Sequence, residues 1–318
     1  DNKEAYEIAL SLRDIIKNKG SHPSGFVVSH DDLETFLPVE LLKPTEGEGG
    51  EEMSSSFEMG DVSYLTIKVD LLGVRCCSVI ADVLNEIGME MEDINVDSDP
   101  VIYDTLQDLR TPHGIFQLEA PTNLKAARAI KPKNLNELSD VLAIARPGAL
   151  DFLGDYKDRS AKPLHPVIDE IMAATRGVCL YQESVLKLFN AIGFTLEESE
   201  TLRRILSKKK VSEIEEWKPK IYTKCSEKGL ETKVADLIWK IADDSSKYSF
   251  NAAHAYSYSA LSGACIFLKQ KYPLQFFCSL LKQAKNEPKP IEEICKIHEE
   301  LHLFGIKLLP PCLMKSQN

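Results

Sequence analysis

The sequence predicts an α+β fold that is mostly α, with a small mixed sheet in roughly the first 75 residues followed by a large helical domain. Three observations carry this. SYLTIKVDLLG (63–73) alternates apolar and polar residues with the period of a strand, and FVV (26–28) forms a second short apolar run after the turn residues SHPSG. From about residue 76, apolar spacings of three and four, caps and terminators dominate. At 318 residues, 43% hydrophobic and 27% charged, the chain has an ordinary globular composition, enough for about two domains of ~100–200 residues each.

Residues 3–17 carry Ala5, Ile8, Leu12, Ile15 and Ile16 at helical steps before Gly20. The acidic, Gly- and Ser-rich KPTEGEGGEEMSSS (43–56) reads as an exposed loop. In the strand that follows, Leu65, Ile67, Val69 and Leu71 form the expected packed face, and Thr66, Lys68 and Asp70 the polar one. Asp99-Pro100 reads as an N-cap and first-turn proline. Thr195 and Glu198 make a capping box for a helix over 196–210, with Leu202, Ile205 and Leu206 as its buried stripe and Arg204 and Lys208 opposite. A helix over 253–270 is rich in Ala, Ser and Gly, which permits close helix approach, and Tyr272-Pro273 ends it. The charged linker QAKNEPKPIEE precedes one more amphipathic helix.

The net charge of -11 argues against indiscriminate coating of nucleic acid, yet 201–228 holds nine Lys/Arg against four Glu. No apolar run reaches the ~18–20 residues of a membrane span, and DNKEAYEIAL lacks the features of a signal peptide. A cytoplasmic protein with no membrane partner is expected. The eight cysteines have no metal-type spacing and read as reduced, packed thiols. His298 and His302, one helical turn apart, lack a third ligand and read as a solvated face.

Lys68 and Asp70, two strand residues apart, must point the same way. That arrangement suits a metal-bound phosphate ester, and it equally suits the wet face of an edge strand.

SHPSGFVVS, KVDLLG, HGIFQLEA, IARPGAL, RGVCLYQESV, LRRILSKKK and YSFNAAHAYSYSALS, in this order, resemble the C-family bacterial replicative DNA polymerases, the polymerase III alpha subunits. The resemblance implies residues 1–75 as the C-terminal part of a palm with the end of a thumb, similar to a polymerase-beta-like nucleotidyltransferase sheet. It implies 76–285 as fingers, and 286–318 as a linker and the start of a following domain. It further implies primer extension by two-metal phosphoryl transfer, with primer-template DNA and deoxynucleoside triphosphate as substrates and a sliding clamp and replisome proteins as partners. In that family three aspartates hold two Mg²⁺, and KVDLLG matches the third, giving Asp70 as the catalytic metal ligand.

Lys68 matches a lysine near the nucleotide phosphates, and Arg146 an arginine at the nucleotide site. Arg203, Arg204, Lys208 and Lys209 match the fingers helix facing the triphosphate, and Asn251 and His254 a further fingers motif. Gln182 and Glu183 follow a family pattern open to a buried hydrogen-bond network or to substrate contact, and His22 matches a histidine near the active site. The other two aspartates form an upstream D-x-D that nothing in 1–69 matches. The only D-x-D, Asp97-Ser98-Asp99, sits at a helix cap. The chain is thus expected to be inactive alone, needing a complementary polymerase chain with the D-x-D palm segment. The alternative is a non-catalytic DNA-binding module derived from such a polymerase.

Overall fold

The computed structural model describes residues 2–13, 15, 20, 22, 24–42, 52–208, 211–310, 312 and 314. The fold is α+β and mostly α. The chain divides into two compact units, Asp1–Val74 and Arg75–Asn318.

In the first unit the order is α1 (Asn2–Ser11), β1 (Gly25–Val28), β2 (Val39–Leu42), β3 (Glu52–Ser55), α2 (Met59–Leu65) and β4 (Ile67–Asp70). The described strands form two antiparallel pairs rather than a mixed sheet: β1 with β4, in register Gly25 to Asp70 and Val27 to Lys68, and β2 with β3.

Three expectations need correction. The helix expected over 3–17 ends at Ser11; Tyr6, Ile8, Leu12 and Ile15 are exposed, and Ile16 lies outside the described residues. The C-terminal part of the expected loop at 43–56 is β3, because its backbone completes hydrogen bonding along β2. The strand expected from Ser63 starts at Ile67. Residues 59–65 close a helical turn instead, and Thr66 ends it by donating both its N–H and its hydroxyl to the Val62 carbonyl. As a result Leu65, Ile67, Val69 and Leu71 are exposed and form no packed face.

The second unit runs α3 (Arg75–Ile87), α4 (Pro100–Gln107), α5 (Pro121–Ile130), α6 (Leu135–Ile144), α7 (Leu153–Asp158), α8 (Pro166–Met172), α9 (Gln182–Ala191), α10 (Leu196–Ser207), α11 (Val211–Glu227), α12 (Thr232–Ser245), α13 (Ala252–Lys271), α14 (Pro273–Gln283) and α15 (Pro290–Leu301). Asp99 accepts from the Val101 N–H as the N-cap of α4, and Tyr256 donates to Asp97, so both aspartates of the D-x-D serve the fold. The Thr195 and Glu198 capping box forms as expected, but α10 stops at Ser207 and Lys208 is its C-cap.

Helix α13 is the central element, packing on α3, α4, α6 and α14. Its small residues Ser259, Ser262, Gly263 and Ala264 are buried, which lets neighbouring backbones approach. A second core joins α8 to α12 around Leu188, Phe189, Phe194, Leu202 and Ile238, each full burial contributing roughly 1.5–3 kcal/mol. Residues from 286 onward lie in this unit, with α15 against α14. Cys76, Cys179, Cys225 and Cys265 are buried, and burial pushes the Cys179 thiol up to about 12. Cys77, Cys278, Cys295 and Cys312 are exposed, against the expectation of packed thiols, because they fall on outward helix faces or in the C-terminal segment.

Within this unit Asp140 is buried and accepts hydrogen bonds from Tyr156 (2.6 Å) and Tyr181 (2.7 Å). Burial nevertheless outweighs both bonds and raises its pKa from 3.8 to about 6. A raised carboxyl pKa contributes stability that is full below the unfolded value and is lost as pH rises through the folded one. The stability of the wild type relative to Asp140→Asn should therefore decline between pH 3.8 and about 6. Denaturant titrations across that window measure it, and a difference independent of pH would remove Asp140 as the titrating group.

Candidate functional site

The first cluster lies on the β1–β4 pair. Antiparallel register places Asp70 opposite Gly25 and Lys68 opposite Val27, on one face. Lys68 Nζ is 2.6 Å from Asp70 Oδ1, and His22 Nδ1 is 3.8 Å from the same oxygen. The Ser24 N–H donates to His22 Nδ1 (3.3 Å), which makes that nitrogen the acceptor of the ring. The Lys68 hydrogen bond holds the Asp70 carboxyl below its usual range.

The convergence depends on Gly25. A Cβ there would lie 2.8 Å from Lys68 Cε, 2.9 Å from His22 Nδ1 and 3.2 Å from Asp70 Oδ1. Any side chain would occupy the space the three groups share. Beside them opens a cavity of about 720 Å³, with His22, Gly25 and Lys68 on one side and Leu37, Val39 and Val62 among its apolar lining.

The second cluster lies within the second unit, where α9, α10 and the start of α13 meet. The Glu183 carboxylate accepts from Asn251 Nδ2 (2.9 Å) and from the Ala252 N–H (3.0 and 2.9 Å to its two oxygens). Asn251 Oδ1 in turn caps α13 by accepting the His254 N–H (2.8 Å). Gln182 donates its backbone N–H to the Phe250 carbonyl (2.9 Å). The motif around Gln182 and Glu183 is thus a hydrogen-bond brace for the N-terminus of α13.

Next to it runs a ladder of rings. The Arg146 guanidinium sits 4.4 Å from the Phe250 centroid; Phe250 meets His254 at 5.2 Å, and His254 meets Tyr258 at 3.9 Å.

On α10, Arg203 donates to both oxygens of Glu200 (2.7 Å each) and Arg204 to one (2.7 Å). Arg203 is largely covered, whereas Arg204 is exposed. The two guanidinia, Arg203 foremost, hold Glu200 down to about 2. Lys208 is exposed and has no ion-pair partner among the described residues, while Lys209 lies outside them.

The structure therefore brings His22, Lys68 and Asp70 together in one unit, and Asn251, His254 and Arg146 together in the other. Sequence reasoning missed Gly25, Glu200 and the bridging ring of Phe250. Glu200 had a readable signal, since it stands three and four residues before the arginines on one helix. Gly25 and Phe250 were hidden because each also serves partners distant in sequence, Lys68 and Asp70 for Gly25 and Arg146 for Phe250. Among the described residues, no group of three His, Cys, Asp or Glu side chains is placed to hold a metal ion. No described helix is long and apolar enough to cross a membrane.

Comparison with known proteins assigns both units. Residues 75–229 match the bacterial DNA polymerase III alpha subunit finger domain, and residues 1–73 the bacterial DNA polymerase III alpha NTPase domain. Over 99% of its length the chain is 29% identical to the DNA polymerase III subunit alpha of Aquifex aeolicus, covering 27% of that protein. It is likewise 29% identical over 99% of its length to that of Bacillus subtilis, covering 28%, and 28% identical over 98% to that of Mycoplasma genitalium, covering 36%. Both units thus fall in one class, the bacterial DNA polymerases. The chain belongs to the DNA polymerase III alpha subunit family, and it spans about a quarter of the length of the first relatives it matches.

Two outcomes follow from this geometry. Lys68→Met should return the Asp70 carboxyl toward its ordinary range in a carboxyl-detected NMR titration, and an unmoved titration would show that the ion pair does not hold it. Glu200→Gln should free both guanidinia and strengthen binding of a polyanion such as primed DNA, with a steeper salt dependence measured by fluorescence anisotropy. Weaker binding by that variant would mean that Glu200 positions the arginines for contact.

Proposed function

We propose that the chain contributes part of the palm and the fingers of a template-directed DNA polymerase, which adds deoxynucleotides to a primer 3′ end. The convergence of Lys68, His22 and Asp70 over Gly25 carries this reading. A carboxylate kept ionised on a sheet beside an ammonium offers one oxygen ligand and one phosphate contact on the same rigid face. Asp70 is the metal ligand in this reading, and Lys68 a phosphate contact. Arg146, Arg203, Arg204, Lys208, Asn251 and His254 form the nucleotide-facing surface of the fingers, and Lys209 is assigned to it by its motif alone. Lys208 is exposed and can reach phosphate, whereas Arg203 and the exposed Arg204 must first leave Glu200. The ring ladder offers π faces on which a base can stack.

The described residues do not by themselves fit a two-metal site, since no three His, Cys, Asp or Glu side chains among them gather to hold a metal ion. Two Mg²⁺ would supply charge neutralisation for the attacking and leaving oxygens, held mainly by carboxylates from a complementary palm segment. Primer-template DNA, deoxynucleoside triphosphate, the clamp and other replisome proteins, and a cytoplasmic location belong to the same reading. The lack of a three-ligand group among the described residues favours a second one for the chain alone, a DNA-binding module without catalysis.

Primer extension with the purified chain should stay at background in Mg²⁺ or Mn²⁺. Extension should appear when a palm segment bearing D-x-D is supplied and vanish again in Asp70→Asn. Activity of the chain alone that survives Asp70→Asn would overturn the assignment; no activity in the supplemented reaction would leave the binding-module reading standing.

Binding of primed DNA should weaken when Arg203, Arg204, Lys208 and Lys209 are replaced by Ala. Each lost phosphate contact should lower the slope of log K against log salt by ~0.9. An unchanged slope would place the DNA surface elsewhere.

A further inference from the structure

The second unit contains a cavity of about 290 Å³ between the segment around residues 152–164, the chain at 177–179 and α12. Its inner lining is apolar, with Met172, Val178, Leu237 and Ile241. Phe152 and Tyr248 form one wall as a tilted pair with centroids 5.4 Å apart. Another part of the lining closes tightly: Gly177 takes φ +86°, and a Cβ there would come within 2.8 Å of Ala161 Cβ. Only glycine allows that approach at that dihedral.

The charged groups lining the cavity are two lysines and two aspartates, and they are not equivalent. Asp155 accepts from the Ser160 hydroxyl (2.9 Å), and Asp244 pairs with Lys247 (3.2 Å). Lys162 and Lys240 are exposed and have no ion-pair partner among the described residues. An apolar chamber with an aromatic wall, two ammonium groups without an ion-pair partner among the described residues, and carboxylates already engaged by Ser160 and Lys247 has a defined complement, a flat apolar body bearing one anionic group.

We infer that this cavity is a binding site for a small aromatic or similarly apolar organic anion, separate from the Arg146 and Asn251 cluster. The anion lies between Lys162 and Lys240, and the body lies against Phe152 and Tyr248. Occupancy is transmitted through Tyr248. That side chain packs on Gly148, which a Cβ would bring to 3.3 Å from Tyr248 Cβ. Gly148 and Tyr248 each stand two residues from a partner of the Arg146–Phe250 stack. The site stands on the cavity alone and does not depend on the polymerase reading.

The probe is 2-naphthoate, titrated calorimetrically into the whole chain, with neutral 2-naphthamide in parallel. One naphthoate per chain is expected, with the amide weaker by about tenfold, the usual scale of one lost charge-assisted contact. Lys162→Gln with Lys240→Gln should weaken naphthoate by at least about tenfold and leave the amide unchanged. Leu237→Trp should abolish both by filling the cavity, and the lysine variant decides the matter if that one does not fold. Absent binding, several sites per chain, or naphthoate affinity indifferent to the lysines would overturn the site. Saturating naphthoate should also shift the NMR signals of the His254 ring, which meets Phe250 edge-on. Binding without that shift would overturn the transmission through Tyr248.

Discussion

The second unit is organised by one buried cation. Lys269 near the end of α13 has no solvent exposure, so its ammonium must find every partner inside the protein. It donates to the carbonyls of Thr111 (2.8 Å) and His113 (2.6 Å) and to the carboxylate of Glu300. Burial lowers its pKa, opposed by Glu300. These bonds tie the central helix to the loop before α5 and to α15. The loop is further held by His113, whose ring nitrogens face Glu119 (3.5 Å) and Glu293 (3.2 Å), and Glu293 also binds Arg75 at the start of α3 (3.0 Å). Removing one member of such a set leaves a charge buried without compensation, typically at a cost of about 3–5 kcal/mol. The placement of α15 follows from this demand as much as from its apolar stripe.

The same accounting of charge explains how the two functional clusters differ. On the β1–β4 pair the groups stay near solvent and crowd above Gly25, where the missing Cβ leaves room for three polar side chains. In the second unit the basic groups are held in advance. Glu200 keeps Arg203 and Arg204 side by side, and Glu183 fixes Asn251 and the first turn of α13. A carboxylate that spaces two arginines pre-orders them for a second anion but also competes with it. The surface is therefore tuned by an acid as well as by its bases.

Elements governed by local rules were legible in the sequence. The Asp99 and Thr195 caps, the proline starts and the buried stripe of α10 involve residues within four positions of one another, and they form as read. The pairing of Lys68 with Asp70 was legible for the same reason, since strand period alone puts them on one face. The extent of β4 was not, because the alternation from Ser63 to Gly73 ignores that residues 59–65 can complete a helical turn and end it at Thr66. β3 was hidden as well, since MSSS gains strand character only from the β2 backbone beside it.

The sequence by itself determined the mostly helical class, the Asp99 and Thr195 helix caps, the polar face of β4 and, through its motifs, the resemblance to replicative polymerases. Each depends on short-range geometry or on residue order, both of which are written along the chain. Tertiary structure alone decided that Gly25 makes room for the Lys68 and Asp70 pair, that Phe250 stacks under Arg146, and that Lys269 is sealed by Thr111, His113 and Glu300. These contacts join residues 31 to 158 positions apart. Long-range partners follow from which surfaces exclude water together, a property of the packed chain that no local pattern encodes.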